Sequence, residues 1–307
     1  MSANTSRLND GGAPLRPSDS APQADFPEPV FVGGVGRSGT HVMGRLIDAG
    51  PRYHWIPTEV RFHAWRGGLP DLVAGNTSMD AFLEKMRNRW YVRGANRRNG
   101  LKRVATPEQL EAALAEFESA FETDPLDASR RLVRRLLDPA AQEAGKQAWV
   151  EITGPVIEFA PFLLELFPGA KFINMVRDGR AVVAGTLKKV DLTDDPMLAL
   201  AKWEEMVSAA GAAMRSLPDG RAITVQLDDL TAHDRDRTFE RVVGFLEIAD
   251  AGPMRNYFER EISAERAHVG AWRQRMAPAD ARRVDRRYRR VLRKLQREGV
   301  DWAPAPR

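Results

Sequence analysis

The stretch Pro29-Val30-Phe31-Val32-Gly33-Gly34-Val35-Gly36-Arg37-Ser38-Gly39-Thr40-His41 decides the fold of this chain. Its first residues form a short apolar run ended by glycines. Such a run reads as a strand buried in a parallel sheet. Beyond the glycines, Val42, Met43, Leu46 and Ile47 recur at helical spacing over His41–Ala49. A strand, a glycine turn and a helix in succession aim free backbone N–H groups at one point, where an anion can sit. The alternative is a tight turn with no ligand.

Working outward, three more runs read as strands: Ala148–Ile152, Lys171–Val176 and Ala222–Leu227. Helical patterns over 158–167, 180–189, 196–215 and 235–247 separate them. Alternation of this kind predicts right-handed βαβ units: an α/β fold of P-loop type, a parallel sheet flanked by helices. Residues 67–145 read as a helical insertion. Within it Thr106-Pro107-Glu108-Gln109 is a helix start, with Thr as cap, Pro in the first position and Gln completing a capping box. Leu110, Leu114, Phe117 and Phe121 follow at helical spacing. Leu132, Val133, Leu136 and Leu137 mark a further helix that Asp138-Pro139 is expected to stop. Residues 1–28, rich in Ser, Asp, Pro and Gly, read as a disordered tail. Residues 29–307 are then expected to form one domain.

Composition narrows the functions. The chain has 307 residues and no cysteine, which excludes disulfides, cysteine nucleophiles and thiolate metal sites. Its five histidines form no paired ligand motif, so no metal is expected. Lys and Arg number 46 against 42 Asp and Glu, a net +4 that suits a small anion as well as a nucleic acid. No apolar run approaches the ~18 residues of a membrane span. The N-terminus lacks an apolar signal core, so the expectation is a cytoplasmic protein without membrane attachment. The stretch 279–298 reads as an amphipathic helix: Val284, Tyr288, Val291, Leu292 and Leu295 on one face, nine Arg and Lys around the rest. It closes the fold on one reading and meets an acidic partner or nucleic acid on the other. No nucleic-acid role is expected. Oligomeric state is not legible.

The glycine loop is not a nucleotide-kinase loop. Aligned on Gly34 and Gly39, Thr40 falls where the phosphate-binding Lys belongs and His41 where the metal-binding Ser or Thr belongs. The loop suits a sulfate-like or single phosphate group held without metal, with Arg37 able to reach it. Val176-Arg177-Asp178-Gly179-Arg180 repeats the logic at a second strand end, where open α/β sheets bind ligands. Pairing of Arg177 with Asp178 is the plainer alternative. Two such sites suit a ligand with two separated phosphates.

On these motifs the chain resembles the sulfotransferases that use 3′-phosphoadenosine 5′-phosphosulfate (PAPS), and within them the tyrosylprotein sulfotransferase-like subgroup. The strings carrying the resemblance are GRSGT at 36–40, TEVR at 58–61, RDGRAVV at 177–183 and ERAHVGAWRQRMAPAD at 265–280. The resemblance implies that Arg37, Ser38, Gly39, Thr40 and His41 hold the 5′-phosphosulfate. Arg177 would hold the 3′-phosphate, and Lys189 would add a second cation. Residues 263–272 would close over the nucleotide, with Ser263 helping to stabilise the transferring sulfonate. Glu59 would be the catalytic base, beside Arg61. PAPS would be the co-substrate, with a small-molecule or peptide acceptor. The chain departs from the subgroup pattern at Ile152, where a Lys would stabilise the leaving oxygen, and from the wider family's pattern at Gly185, where a Ser is common, and at Leu227, where the Tyr of a YEDL-like turn would stand. A nucleotide-binding protein without catalysis, or a P-loop kinase, are the other functions such a loop could serve.

Overall fold

The computed structural model describes residues 27–94, 99–188 and 193–304. Most of the expected tail, and Lys189, lie outside the described residues. Five strands, β1 (Val30–Gly33), β2 (Tyr53–Trp55), β3 (Ala148–Glu151), β4 (Lys171–Val176) and β5 (Ala222–Gln226), form one sheet in the order β2-β3-β1-β4-β5. Every pairing is parallel, with Phe31 opposite Phe172 and Tyr53 opposite Ala148. The parallel α/β architecture expected from the sequence is therefore present. The three-residue edge strand β2 is the one strand that the sequence pattern does not announce.

Among the described residues twelve α-helices flank the sheet: α1 (Thr40–Asp48), α2 (Leu69–Val73), α3 (Met79–Lys85), α4 (Pro107–Phe121), α5 (Pro125–Glu143), α6 (Ala160–Leu166), α7 (Gly179–Thr186), α8 (Pro196–Arg215), α9 (Arg235–Leu246), α10 (Gly252–Glu261), α11 (Ala264–Ala267) and α12 (Pro278–Arg297). The alternation of β1 shows how the strands divide the core. Val30 and Val32 point to one face, packing with Leu46 and Ile47 of α1 and Val242 of α9. Phe31 points to the other, against Trp149, Phe167 and Phe172.

The 67–145 region joins this second face directly. Leu114 and Phe117 of α4 and Leu132, Val133 and Leu136 of α5 share one buried cluster with Phe31 and Trp149. Each fully buried side chain of this size contributes about 1.5–3 kcal/mol. The Thr106 capping box forms, with Gln109 N donating to Thr106 Oγ1 and Thr106 N donating to Gln109 Oε1. The stop expected at Asp138-Pro139 does not occur, and α5 runs through Pro139 to Glu143. Proline denies a hydrogen bond to the carbonyl of Arg135. Arg135 is exposed, so water can take that bond, while Leu136, Leu137 and Ala141 remain buried on the other side.

Helix α12 closes the fold. Val284, Tyr288, Val291 and Leu295 pack with Val182 of α7 and Trp203 of α8. Buried Arg180 ties α7 to α12. It bonds Asp178 through Nε and Nη2, reaches Asp285 of α12, and lies between the rings of Trp272 and Tyr288. On the flank, Arg287 and Lys294 pair with Glu204 of α8. Among the described residues, no helix is long and apolar enough to cross a membrane.

Candidate functional site

The chain leaves β1 toward the β3 side and leaves β4 toward the β5 side. The crevice between their C-terminal ends is where such sheets bind ligands. The glycine loop and Arg177 both occupy that edge. Gly34 (φ +144°) and Gly39 (φ +93°) adopt backbone conformations that side chains rarely allow. A Cβ at Gly34 would lie 2.2 Å from the Met175 carbonyl oxygen, and one at Gly39 would lie 2.6 Å from Leu227 Cδ1. Leu227 is thus a buried wedge under the loop. Gly34 N donates to Gly154 O at 2.8 Å, which fixes the loop to the end of β3.

Ser38 is fully buried, yet its Oγ has no hydrogen-bond partner. Unpartnered buried polar atoms are rare because each costs the desolvation of the group. Arg37 (φ +77°) is exposed at the loop tip. Its side chain lies over Gly185, where an added Cβ would come within 3.3 Å of its Cγ and Nε. The Ser-to-Gly departure makes room for Arg37. His41 opens α1 with its ring edge-on to Trp55. Partial desolvation, then Arg45 and Arg37, pull its pKa below the ordinary histidine value, against Glu59 and Glu151, which act to raise it.

Arg177, at the end of β4, is 9% exposed and belongs to the same site. Its Nη1 donates to Arg37 O at 3.4 Å and its Nη2 donates to Ala267 O. It does not pair with Asp178, which caps α7 and engages Arg180. Its counter-ion is Asp228, just beyond β5, with Nε and Oδ1 3.4 Å apart. Neither atom makes a hydrogen bond. Burial raises the Asp228 pKa above its ordinary value, despite Arg177 acting to lower it. A guanidinium nitrogen and a hydroxyl, both buried and unsatisfied on one sheet edge, fit the oxygens of a bound anion.

The segment 263–272 folds toward this site through Ala267. Ser263 is half-buried, and its Oγ accepts from Arg266 N at 3.4 Å as the cap of α11. Trp272 is 5% exposed and packs beneath Arg180.

Glu59 lies on the loop after β2. Its Oε2 accepts from Arg61 Nη2 at 2.7 Å and Nε at 3.0 Å, and Arg93 Nη2 lies 3.6 Å from the same oxygen. Arg93 also donates to the Glu59 carbonyl at 2.6 Å. Arg61 (φ +65°) stacks its guanidinium 4.0 Å from the Trp65 ring centroid. Arg93 carries no motif. It comes from the helical insertion, and only tertiary packing brings it to Glu59. Ile152, where the subgroup carries Lys, is fully buried against Gly44 of α1 and offers nothing to the site. Among the described residues no cluster of His, Asp and Glu could hold a metal ion.

The protein-tyrosine sulfotransferase of Drosophila melanogaster is 23% identical over 224 residues, covering 71% of this chain and 38% of that protein. Protein-tyrosine sulfotransferase A of Caenorhabditis elegans is 26% identical over 225 residues, covering 71% of this chain and 50% of that protein. The chain thus spans half or less of the length of these relatives. The solved sulfotransferase domain from the curacin biosynthetic pathway shares the fold, with a TM-score of 0.51 at 13% identity, over 85% of this chain and 97% of that domain. The model of the sulfotransferase family matches residues 29–252, from β1 through the glycine loop and Arg177 to the start of α10. With that match running over well more than half its length, the chain belongs to the sulfotransferase family.

Proposed function

We propose that the protein transfers a sulfonate group from PAPS to a hydroxyl or amine acceptor, with Glu59 as general base. The carrying observation is that Ser38 Oγ and Arg177 Nε are both buried without a hydrogen bond on one sheet edge, Arg177 Nε standing 3.4 Å from the Asp228 carboxylate. PAPS supplies a sulfonate activated by linkage to phosphate. The loop N–H groups, Ser38, Thr40 and Arg37 would hold its phosphosulfate end, and Arg177 its 3′-phosphate. Lys189, outside the described residues, and Ser263 are the further candidates on this reading.

The protein's share of the chemistry is position and charge. Arg61 and Arg93 occupy Glu59 Oε2, so Oε1 is the oxygen that takes the acceptor proton. As that proton moves to Glu59, the acceptor oxygen or nitrogen bonds to sulfur in line. The sulfur–oxygen bond to the phosphate breaks, and 3′,5′-adenosine bisphosphate leaves. Positioned general bases contribute about 10²–10⁴-fold, and fixed positive groups stabilise the developing charge. Arg37 and His41 flank the leaving side, where Ile152 supplies no cation. With Thr40 and His41 in place of the kinase Lys and metal ligand, the loop needs no magnesium. The relatives' names suggest a peptide tyrosine as one acceptor.

Buried Ile152 also favours a second reading, a bisphosphate-binding protein without catalysis. One experiment separates the two. Thermal stability is followed against 3′,5′-adenosine bisphosphate and against ATP with magnesium, and labelled PAPS is offered with tyrosine peptides, phenols and amines. Stabilisation by the bisphosphate alone plus transfer supports the enzyme. Stabilisation without transfer supports the binder, and stabilisation by ATP–magnesium alone sinks both.

A further inference from the structure

Beneath the Glu59 loop lies a buried polar cluster to which the proposed chemistry assigns no part. Glu151, the last residue of β3, and His63 are both fully buried, and His63 Nε2 lies 3.1 Å from Glu151 Oε2. The same carboxylate accepts from Thr153 N at 2.9 Å and from Thr153 Oγ1 at 2.6 Å. Its Oε1 also accepts from Val60 N at 3.4 Å. Thr153 Oγ1 accepts in turn from Arg61 N at 3.3 Å. A buried carboxylate persists only when paired and hydrogen-bonded. Here its partners include the backbone of the loop that carries Glu59. With His63 at its centre, this network holds the Glu151 carboxyl below its ordinary pKa.

Arg61 is the residue under tension. Its φ of +65° lies in the left-handed region, which a non-glycine residue occupies only when its surroundings hold it there. The bond from Arg61 N to Thr153 is one such hold, and the stack of the Arg61 guanidinium on Trp65 is another. The outcome is functional in form: Arg61 turns back on the residue two before it and takes Glu59 Oε2 with both Nε and Nη2. The neighbouring Gly154 carbonyl receives Gly34 N, so residues 151–154 brace the anion loop as well.

We propose that Glu151, His63 and Thr153 form a positioning unit that holds Arg61 in its left-handed conformation and thereby aims Glu59 at the acceptor. The proposal rests on the reading of Glu59 as the base. It also gives the end of β3 a role in this chain: support from below, where Ile152 offers no cation.

Thr153→Val tests it, because the valine keeps the shape while removing the acceptor of Arg61 N and the donor to Glu151. Thr153→Ser restores the hydroxyl. The expected result with labelled PAPS and the acceptor that wild type uses is a fall in kcat of about 10–100-fold, the scale of a small misplacement of reacting groups. Affinity for 3′,5′-adenosine bisphosphate stays near wild type, and Thr153→Ser recovers most of kcat. An unchanged kcat, a parallel loss of bisphosphate affinity, or no recovery in the serine variant overturns the proposal. Glu59→Gln is measured alongside. If it keeps full kcat, the base reading fails on its own. Hydrogen exchange at the Arg61 amide then judges the hold: faster exchange in the valine variant alone supports it, and equal exchange in all three proteins overturns it.

Discussion

The two sides of the crevice are built on opposite plans. On the proposed donor side the backbone does the work: a glycine loop, a helix start, and two buried atoms without a hydrogen bond, Ser38 Oγ and Arg177 Nε, the latter facing Asp228 Oδ1 at 3.4 Å. On the proposed acceptor side most of the buried polar groups already bond within the protein, although His63 Nδ1 has no hydrogen-bond partner. Glu59 is held by Arg61 and Arg93, and Glu151 by His63 and Thr153. An unsatisfied buried group is stabilised by any ligand that completes it, so on the proposed reading this side suits an anion. A network bonded mainly within itself has less such need, and on the proposed reading it holds Glu59 in one orientation.

Four substitutions break or sharpen that contrast. The largest effect is expected at Glu59→Gln, which should lower kcat by about 10²–10⁴-fold while bisphosphate affinity stays unchanged in calorimetric titration. A large loss of affinity would mean that the two sides are not separable. Arg177→Ala should weaken bisphosphate binding by about 100-fold, the scale of lost charge-assisted hydrogen bonds. Titration would show an effect near zero if the donor side lay elsewhere. Gly34→Ala should cost at least ~1–3 kcal/mol of stability in denaturant unfolding, because a positive φ and the Met175 carbonyl both oppose a Cβ. Full stability in that variant would mean that the loop is not held against β4.

The smallest effect concerns Asp228, the anion that stands on Arg177 in the free protein. Its folded-state pKa is raised, chiefly by burial. A raised carboxyl pKa means that the folded protein takes up its proton more readily than the unfolded chain does. The associated penalty is absent below the ordinary carboxylate range and complete once pH exceeds the raised value. As pH falls through that window, Asp228 becomes neutral and ceases to compete for Arg177. Inorganic sulfate, which keeps its charge there, should then bind more tightly to wild type. Asp228→Asn should bind it a few-fold more tightly at neutral pH, with a flatter pH profile. Identical profiles for the two proteins would remove Asp228 from the anion site.

Legibility followed the same division. The donor side could be read because its demands are local: Gly34 and Gly39 permit a backbone path, and Arg177 stands directly at a strand end. The plainer pairing of Arg177 with Asp178 does not form, because Asp178 is taken by Arg180, while Arg177 faces Asp228 from beyond β5. On the acceptor side Glu59 was legible only through the resemblance of its TEVR string. Arg93, Glu151 and His63 were not, since they are separated along the chain and carry no spacing signal. The edge strand β2 was missed because Tyr53-His54-Trp55 is too short and mixed to show alternation. Pro139 misled because the cost of proline in a helix depends on which carbonyl loses its bond, and Arg135 is exposed.

By itself, the sequence determined the parallel α/β sheet, the glycine turn after β1 and the placing of Arg177 at the end of β4. Each follows from residue types within one strand–turn–helix unit, where backbone geometry and hydrophobic period act over a few residues. Tertiary structure alone decided what surrounds those positions. It put Asp228 on Arg177, Arg37 over Gly185, Arg93 on Glu59, and a buried carboxylate–imidazole pair under Arg61. Burial and charge pairing act through space, so these partners exist only once the sheet and its helices have brought distant segments together.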